Sequence, residues 1–499
     1  MAKQTAQFNL SAVRLDRSAD RALADQLYFG IARAILDGRL RPGSRLPSTR
    51  HLAAEFRIAR ITASVAFDRL AAEGYVESRV GSGTRVSSSL PDDFRLAKHI
   101  EPASRLRLSS TAGFSRRGKL LARTTTSVAP TGGPPMALRH SMPAFDLFPA
   151  GLWRRMVADK ISASSTRLMG YGDPAGYRPL REAIADYLGE VRAVRATTEQ
   201  VIVVSGSQQA LDLAARMLFD PGARVIVEDP GYRGACAAMV ASGAQLYPIG
   251  IDEHGIRIDD APAARGAYVT PSHQFPLGAT MSVARRMALL KWANRWRAWI
   301  FEDDYDSEYR YVGRPLPALQ GLDTAGRVIY IGTFSKVMFP ALRLGFMVAP
   351  EHLAAGFAAA IALTDRHAPT IEQAALADFI REGHFARHVR RMRIAYGERR
   401  RALIDAAQRH LKGLVDVDPG ESGMHCVGWL PDGTNDIEVS RRAADAGIGV
   451  TPLSSYYMTK PARSALILGF AATPPHQIED SVRRLATIAR STIKERRSD

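Results

Sequence analysis

Reactive side chains follow two apolar runs in the second half of the sequence. The run VIYI leads into GTFSK, which places Lys336 just beyond it, and Arg343 comes seven residues later. The run AWIF leads directly into EDDY at 302–305. A lysine amine forms covalent bonds with carbonyl compounds, and a buried carboxylate needs a cationic partner. These residues therefore predict a ligand site that combines an amine with an acid.

Three further apolar runs end in polar residues. VIVV is followed by SGSQ at 205–208 and then a helical pattern, so free amides and two hydroxyls lie where a phosphate would bind. RVIV is followed by EDPGYRG, in which Tyr232 offers a flat ring. AYVT is followed by PSHQFPLG, whose His273 and Gln274 are either loop polar residues or part of the site.

One ligand uses this whole set, pyridoxal 5'-phosphate. Its aldehyde condenses with a lysine, its ring nitrogen pairs with a carboxylate, and its phosphate suits a helix N-terminus and an arginine. Taken singly, the residues have ordinary explanations, such as a surface lysine, a capping cluster or a core aromatic. Their occurrence in this order at consecutive strand ends predicts the cofactor pocket.

The elements that must position these residues alternate between strand and helix from about residue 140. That alternation predicts βαβ units, a mostly parallel sheet with helices on both faces, and ligands beyond the carboxyl ends of the strands. Residues 140–384 form the predicted large domain. Residues 385–499 return to helices around short strands and predict a small α+β lobe.

The bulk properties favour a multidomain protein with a polyanionic partner. The chain has 499 residues and a net charge of +17, with no apolar run that would span a membrane. The first residues, MAKQTAQFNL, show no apolar core followed by a small-residue cleavage site. A cytoplasmic protein without membrane contact is therefore expected. Cys236 and Cys426 have no metal-ligand spacing and are expected to be small buried residues, with no metal site.

The first part of the chain divides into an arm at 1–19, a compact block at 20–87 and a linker at 88–139. The block predicts three helices followed by a hairpin, from its helical patterns and its Gly and Pro positions. The linker carries nine Lys or Arg against three Asp or Glu and is rich in Ser, Thr, Pro and Gly. A basic and partly flexible connection is expected there.

The block at 20–87 has the pattern of a helix-turn-helix with a wing. PSTRHLAAEF predicts the first helix and ARITASVAFDRL the second, whose first turns would reach base edges in the major groove. RVGSGTRV predicts the wing. The candidate DNA-binding residues are Ser48, Thr49, Arg50, Arg60, Thr62, Ser64, Gly81 and Gly83. The alternative is a helical dimerisation module whose arginines are solvated.

Residues 20–87 resemble the winged-helix domain of GntR-family regulators, with Ala59 and Ile61 where that family usually has Ser and Asn. From about 140 to the end, the chain resembles the fold-type I aminotransferases of class I and II. The two together resemble the MocR/GabR-type regulators. The aminotransferase resemblance implies that Lys336 is the Schiff-base lysine, Asp303 the partner of the ring nitrogen, Tyr305 the donor to the ring oxygen and Tyr232 the stacking ring. It also implies that Gly206, Ser207, Gln208, Thr333, Ser335 and Arg343 hold the phosphate, with Tyr171 reaching the phosphate of a neighbouring subunit in a dimer.

This resemblance implies a regulator that binds paired half-sites on double-stranded DNA. It would sense an amine, an amino acid or a B6 vitamer at Lys336. The alternative is an active aminotransferase with an added DNA-binding domain. Two positions count against efficient transamination. Phe275 replaces a common asparagine, and Ala465 aligns with the arginine that usually clamps the substrate carboxylate. Arg233, near Tyr232, could take the place of that arginine, which leaves slow or partial transamination as an open alternative. A DNA-binding protein with a dead domain would have lost Lys336 or Asp303, and both are present.

Overall fold

The computed structural model describes residue 13 and residues 15–79, 83–88, 113–124, 136–163, 165–313 and 316–496. The chain divides into two compact units, residues 1–113 and residues 114–499. Most of the predicted linker therefore lies outside the described residues.

The first unit has the predicted order of three helices and a hairpin. Its elements are α1 (Leu23–Leu36), α2 (Thr49–Glu55), α3 (Arg60–Ala72), β1 (Val76–Arg79) and β2 (Gly83–Val86). The two strands pair antiparallel, with Val76 opposite Val86. Leu27, Ile31 and Leu52 are fully buried where the helices meet. The winged helix-turn-helix prediction is confirmed.

The second unit contains a large sheet and a smaller one. Its helices are α4 (Arg116–Arg123), α5 (Ala150–Ala163), α6 (Ser165–Met169), α7 (Arg178–Arg192), α8 (Ser207–Leu218), α9 (Arg233–Ser242), α10 (Val283–Trp296), α11 (Leu319–Leu322), α12 (Glu351–Thr364), α13 (Thr370–Arg381), α14 (His384–His410), α15 (Asp436–Asp445) and α16 (Pro475–Arg496). Its strands are β3 (Val201–Val204), β4 (Arg224–Asp229), β5 (Gln245–Asp252), β6 (Gly255–Ile256), β7 (Gly266–Val269), β8 (Trp299–Asp304), β9 (Val328–Thr333), β10 (Gly345–Val348), β11 (Asp416–Asp418), β12 (His425–Trp429), β13 (Thr451–Pro452) and β14 (Ala465–Gly469).

The large sheet has eight strands in the order β3-β10-β9-β8-β7-β4-β5-β6. Strands β9, β8, β7, β4 and β5 run parallel, while β10 runs antiparallel to both of its neighbours. Because β10 is reversed, its first residues lie at the edge where β3 and β9 end. The prediction of a mostly parallel sheet is confirmed, although β5, β6 and β10 were not predicted.

Helices cover both faces of this sheet. Alternate residues of β9 enter different core clusters, Ile329 on the side of α8, α9 and α12 and Tyr330 on the side of α7 and α13. Such double coverage explains why the strands read as continuous apolar runs.

The small lobe is a four-stranded antiparallel sheet, in the order β11-β12-β14-β13, packed against α14, α15 and α16. Leu138 and Ala144 belong to the same core cluster, although they precede the large sheet in sequence. The helix α4 lies within the predicted linker, where the Ser115 hydroxyl accepts a hydrogen bond from the Gly118 amide at 3.1 Å.

Candidate functional site

The carboxyl edge of the large sheet borders a cavity of about 330 Å³. Ten of the eleven residues predicted to bind the cofactor line it: Gly206, Ser207, Gln208, Tyr232, Asp303, Tyr305, Thr333, Ser335, Lys336 and Arg343. The eleventh, Tyr171, does not line it. Its side chain is 90% exposed and makes an edge contact with the ring of His367.

One end of the cavity has the features of a phosphate site. Gly206 precedes α8 with φ +96°, and the first amides of α8 have no acceptor within the helix. Arg343 precedes β10 and donates a hydrogen bond to the Ser205 carbonyl. A Cβ atom added at Gly206 would lie 3.2 Å from Nη1 of Arg343, so a larger residue would crowd the guanidinium.

Asp303 lies near the end of β8, lines the same cavity and is almost fully buried. The hydroxyl of Tyr268 donates to its Oδ2 at 2.8 Å. Its Oδ1 is buried and has no hydrogen-bond partner among the described residues. Burial raises the pKa of Asp303 to about 7, and the neighbouring Asp304 adds to the increase while the Tyr268 hydrogen bond opposes it.

Lys336 lies just beyond β9 and faces the same cavity. Its Nζ donates a hydrogen bond to the carbonyl oxygen of Ser141 at 3.1 Å. Burial lowers the pKa of the Lys336 amine, against the opposing effect of the carboxylates of Asp306 and Asp303. A lowered pKa increases the neutral fraction of the amine, which is the form that attacks a carbonyl carbon.

Tyr232 stands at the side of the cavity. Its hydroxyl donates to Oε1 of Gln208 at 3.2 Å, and Nε2 of Gln208 donates to the Gly234 carbonyl at 2.9 Å. A Cβ atom at Gly234 would come within 2.4 Å of the Tyr232 ring. The Tyr232 ring can occupy this position because Gly234 has no side chain.

Tyr305 is held by a buried histidine. Its hydroxyl lies 2.9 Å from Nδ1 of His273, which is also 3.1 Å from the Asp306 carboxylate. Gln274 is buried too and donates to Oε2 of Glu228 at 3.2 Å. His273 and Gln274 are thus fixed parts of the wall behind the cavity and not loop polar residues.

Several lining residues were not predicted: Arg139, His140, Ser141, Met142, Gly234, Tyr268, Pro340, Thr451 and Tyr456. The His140 ring bridges two of them, with Nδ1 3.1 Å from the Thr451 hydroxyl and Nε2 3.2 Å from the Tyr456 hydroxyl. Burial lowers the pKa of His140 to about 4, so the ring is neutral. Of these residues, only Tyr268 could have been found from the sequence, because its hydroxyl lies in a run that predicts a buried strand.

One apolar cluster joins the small lobe to residues that line the cavity. Ile467 packs with Phe275 and Tyr456, whereas Ala465 packs in another cluster. Neither Ala465 nor Ile467 is among the residues that line the cavity. Arg463 lies with its guanidinium 4.6 Å from the Trp429 ring, away from the residues that line the cavity.

The first unit places most of its predicted DNA-binding residues on its surface. Ser48 caps α2 by accepting a hydrogen bond from the His51 amide at 3.2 Å. Arg50 and Arg60 are exposed, and Thr49, Thr62 and Ser64 are partly exposed. Gly83 begins the second wing strand with φ +80°. Gly81 lies outside the described residues.

Cys236 and Cys426 are buried free thiols, as predicted. Within the described ranges, no group of His, Cys, Asp or Glu could hold a metal ion. No helix in that part of the chain has the length and apolar content needed to cross a membrane.

The cavity fits pyridoxal 5'-phosphate on three counts. The free Oδ1 of Asp303 supplies an acceptor for a protonated ring nitrogen. Gly206 and Arg343 leave room for an anion at the start of a helix. Lys336 presents an amine in the same cavity.

Fold and site together define a DNA-binding protein with an aminotransferase-like cofactor domain. Residues 23–86 match bacterial regulatory proteins of the gntR family, and residues 148–485 match aminotransferases of class I and II. The chain belongs to the MocR/GabR-type family of transcriptional regulators, which join these two domains. The aminotransferase match also confirms the predicted cofactor, pyridoxal 5'-phosphate.

Similar proteins include regulators and enzymes. The probable rhizopine catabolism regulatory protein MocR of Rhizobium meliloti is 40% identical over 94% of this chain and 94% of its own length. The pyridoxine biosynthesis regulator PdxR of Corynebacterium glutamicum is 32% identical over 92% of this chain and 94% of its own. The multiple substrate aminotransferase of Thermococcus profundus has a TM-score of 0.69 and 28% identity, covering 78% of this chain and 100% of that one.

Proposed function

We propose that this chain regulates transcription by binding DNA through its first unit and pyridoxal 5'-phosphate through Lys336. A small amine, an amino acid or a B6 vitamer that reaches the cavity would be the effector. The observation that carries the proposal is the convergence of Lys336, Asp303 and Arg343 on one cavity, in a chain that also has a gntR-family domain.

Bound pyridoxal 5'-phosphate supplies a carbonyl carbon that can exchange between amines. The chain's own residues would orient it, with Arg343 and the start of α8 at the phosphate end and Asp303 at the ring nitrogen. Tyr232 would lie against the ring, and the Tyr305 phenol, whose pKa is raised by burial, would remain a donor. Thr333 and Ser335 would complete the phosphate contacts.

The names of the relatives support an effector of this general kind without fixing it. One relative is named for rhizopine catabolism and another for pyridoxine biosynthesis. Strand β14 carries no arginine, which supports sensing over steady transamination, and Arg139 and Arg233, which line the cavity, are the cations that an effector carboxylate would meet.

Two further parts of the proposal concern assembly and DNA. The exposed Tyr171 would contact the phosphate in a second copy of the chain, giving a homodimer with shared sites. Two DNA-binding units would then meet paired half-sites, with Arg60, Thr62 and Ser64 reaching base edges. The linker proposed at 88–139, with its basic excess, would add salt-sensitive affinity.

Cofactor attachment is tested by absorption and reductive trapping. Full-length protein mixed with pyridoxal 5'-phosphate should gain a visible absorption band, and borohydride should fix one cofactor to the peptide that contains Lys336. Lys336→Ala should abolish both, while Lys291→Ala, at an exposed lysine of α10, should change neither. A colourless wild type that traps no cofactor would contradict the proposal.

DNA binding is tested with the DNA upstream of the protein's own coding region. Full-length protein should retard this DNA, and pyridoxal 5'-phosphate should change the affinity. Arg60→Ala should weaken binding, whereas Arg216→Ala, on helix α8 of the second unit, should not. Absence of retardation, together with steady turnover of an amino acid and a keto acid, would favour the aminotransferase alternative instead.

A further inference from the structure

Residues 136–144, here called the strap, connect the cofactor cavity to the preceding part of the chain. The predicted linker ends at Arg139, within the strap. Arg139, His140, Ser141 and Met142 line the cavity. The Ser141 carbonyl accepts the only hydrogen bond described for the Lys336 amine. The residue that would attach the cofactor therefore also holds the strap.

Both ends of the strap are fastened to the small lobe. The Gly449 and Gly469 amides donate to the carbonyls of Ala137 and Leu138 at 2.7 and 2.8 Å. The Leu138 amide donates to the Thr473 hydroxyl at 3.0 Å, and the Ala144 amide to the Tyr396 hydroxyl at 2.9 Å. Because these backbone amides are hydrogen-bonded, their hydrogen-exchange rates report whether the strap keeps this position.

The middle of the strap is strained. Leu138 and Ser141 have φ values of +60° and +63°, in the left-handed region that non-glycine residues rarely adopt. Contacts must hold such a conformation in place. The contacts nearest to Ser141 are the Lys336 hydrogen bond and the bonds of His140 to Thr451 and Tyr456.

We propose that the strap senses whether the Lys336 amine is free, through the Ser141 carbonyl oxygen. This rests on the proposed attachment of the cofactor at Lys336. Condensation with an aldehyde ligand forms a carbon–nitrogen double bond, and both hydrogens of the neutral amine leave with the aldehyde oxygen as water. Ser141 then loses its donor. An effector amine that takes the place of Lys336 on the cofactor returns the free amine to Ser141.

Hydrogen exchange of the full-length protein tests this proposal with two probes. Pyridoxal 5'-phosphate has the aldehyde, whereas pyridoxamine 5'-phosphate fills the same space without one. The aldehyde should speed exchange of the Leu138, Gly449 and Gly469 amides at least threefold, and the amine form should not. In Lys336→Met, these amides should exchange fast without ligand, and neither probe should change their exchange rate. Lys291→Met should behave as wild type.

The outcomes separate this proposal from the proposed function. Binding of both probes with unchanged exchange, or with equal changes, would overturn the role of the strap alone. Slow exchange in ligand-free Lys336→Met would do the same. Failure of pyridoxal 5'-phosphate to bind would remove the proposed cofactor function, and the strap proposal with it.

An independent observation concerns the outward face of α3. Ile61 and Val65 are 69% and 50% exposed, one helical turn apart, and lie opposite the buried Ala63, Ala66 and Phe67. Exposed β-branched apolar residues on this face add nothing to the core. They lie beside Arg60 in the second helix of the helix-turn-helix, within the residues that match the gntR family.

We infer that Ile61 and Val65 read the methyl groups of thymine. The thymine C5 methyl is the apolar group that a base pair presents in the major groove. Burial of one methyl group against an apolar side chain corresponds to a roughly threefold to fivefold gain in affinity.

Deoxyuridine, which lacks this methyl, gives a direct test. Full-length protein selects a duplex from a random library, and each thymine is then replaced by deoxyuridine in turn. Wild type should lose roughly threefold to fivefold in affinity at one or two thymines of each half-site. Ile61→Ala should bind the thymine and uracil duplexes equally at one such position, while Ile437→Ala, at an exposed isoleucine of α15, should behave as wild type. Equal discrimination by wild type and Ile61→Ala, or none by either, would overturn the inference.

Discussion

Asp303→Asn should stabilise the ligand-free protein at pH 8 and weaken its hold on the cofactor. The Asp303 carboxylate is buried, and its Oδ1 has no partner among the described residues. Asparagine keeps an oxygen that can accept the Tyr268 hydroxyl but carries no charge. The substitution therefore removes a desolvated charge without removing the hydrogen bond at Oδ2.

The raised pKa of Asp303 determines the sign and size of this change in stability. Burial raises the pKa of Asp303 from 3.8 to about 7, so its stabilising contribution is complete below the unfolded pKa and is lost as pH rises through about 7. Each pKa unit corresponds to about 1.4 kcal/mol. The gain from Asp303→Asn should therefore be greater at pH 8 than at pH 5 by on the order of 2 kcal/mol.

Tryptophan fluorescence provides a clean assay. All five tryptophans lie in the second unit, so urea unfolding followed by their fluorescence reports on that unit alone. Asp306→Asn is the matched control, because Asp306 is buried against His273 at 3.1 Å. Its substitution should destabilise the unit by about 1 kcal/mol or more. Two buried carboxylates three residues apart should thus respond with opposite signs.

Cofactor binding supplies the second half of the test. Loss of a charge-assisted hydrogen bond to the ring nitrogen costs about 1.5–3 kcal/mol, or roughly 10-fold to 150-fold in affinity. Equilibrium dialysis of pyridoxal 5'-phosphate measures this loss. The reasoning fails if Asp303→Asn gives the same stability change at pH 5 and pH 8, or if the variant binds the cofactor as tightly as wild type.

Three other substitutions have defined outcomes. Arg192→Met leaves the buried Asp304 without its cationic partner at 2.9 Å and should lower the free energy of unfolding by about 3–5 kcal/mol in the same urea assay. Its control, Arg216→Met, breaks an exposed ion pair and should lower the free energy of unfolding by less than about 0.5 kcal/mol. Gly206→Ala puts a Cβ at φ +96° and 3.2 Å from Arg343, and should weaken pyridoxal 5'-phosphate binding about tenfold in dialysis. Arg50→Ala should reduce the slope of log affinity against log salt by about 1 if Arg50 contacts a phosphate, and an unchanged slope would exclude that contact.

The strand ends were predictable because the strands are buried on both faces. VIYI, AWIF and VIVV contain no polar residue, so the first polar side chain after each marks the edge of the sheet. The parallel direction of β8 and β9 then brings Asp303 and Lys336 together.

Other elements left weaker patterns in the sequence. Strand β5 contains Pro248 and Gly250, so it does not read as a buried strand. The strap has no pattern at all, because its contacts join distant parts of the chain. Ser141 and Lys336 are 195 residues apart, and His140 and Thr451 are 311 apart.

Because β10 runs antiparallel to β9, the short segment after Lys336 limits the length of a ligand that contacts both Lys336 and Arg343. Six residues lead from Lys336 to Arg343, and the chain returns to the edge from which it left. The span between amine and guanidinium is therefore set by local backbone and not by the packing of separate domains. A movement of the small lobe would therefore leave this span unchanged.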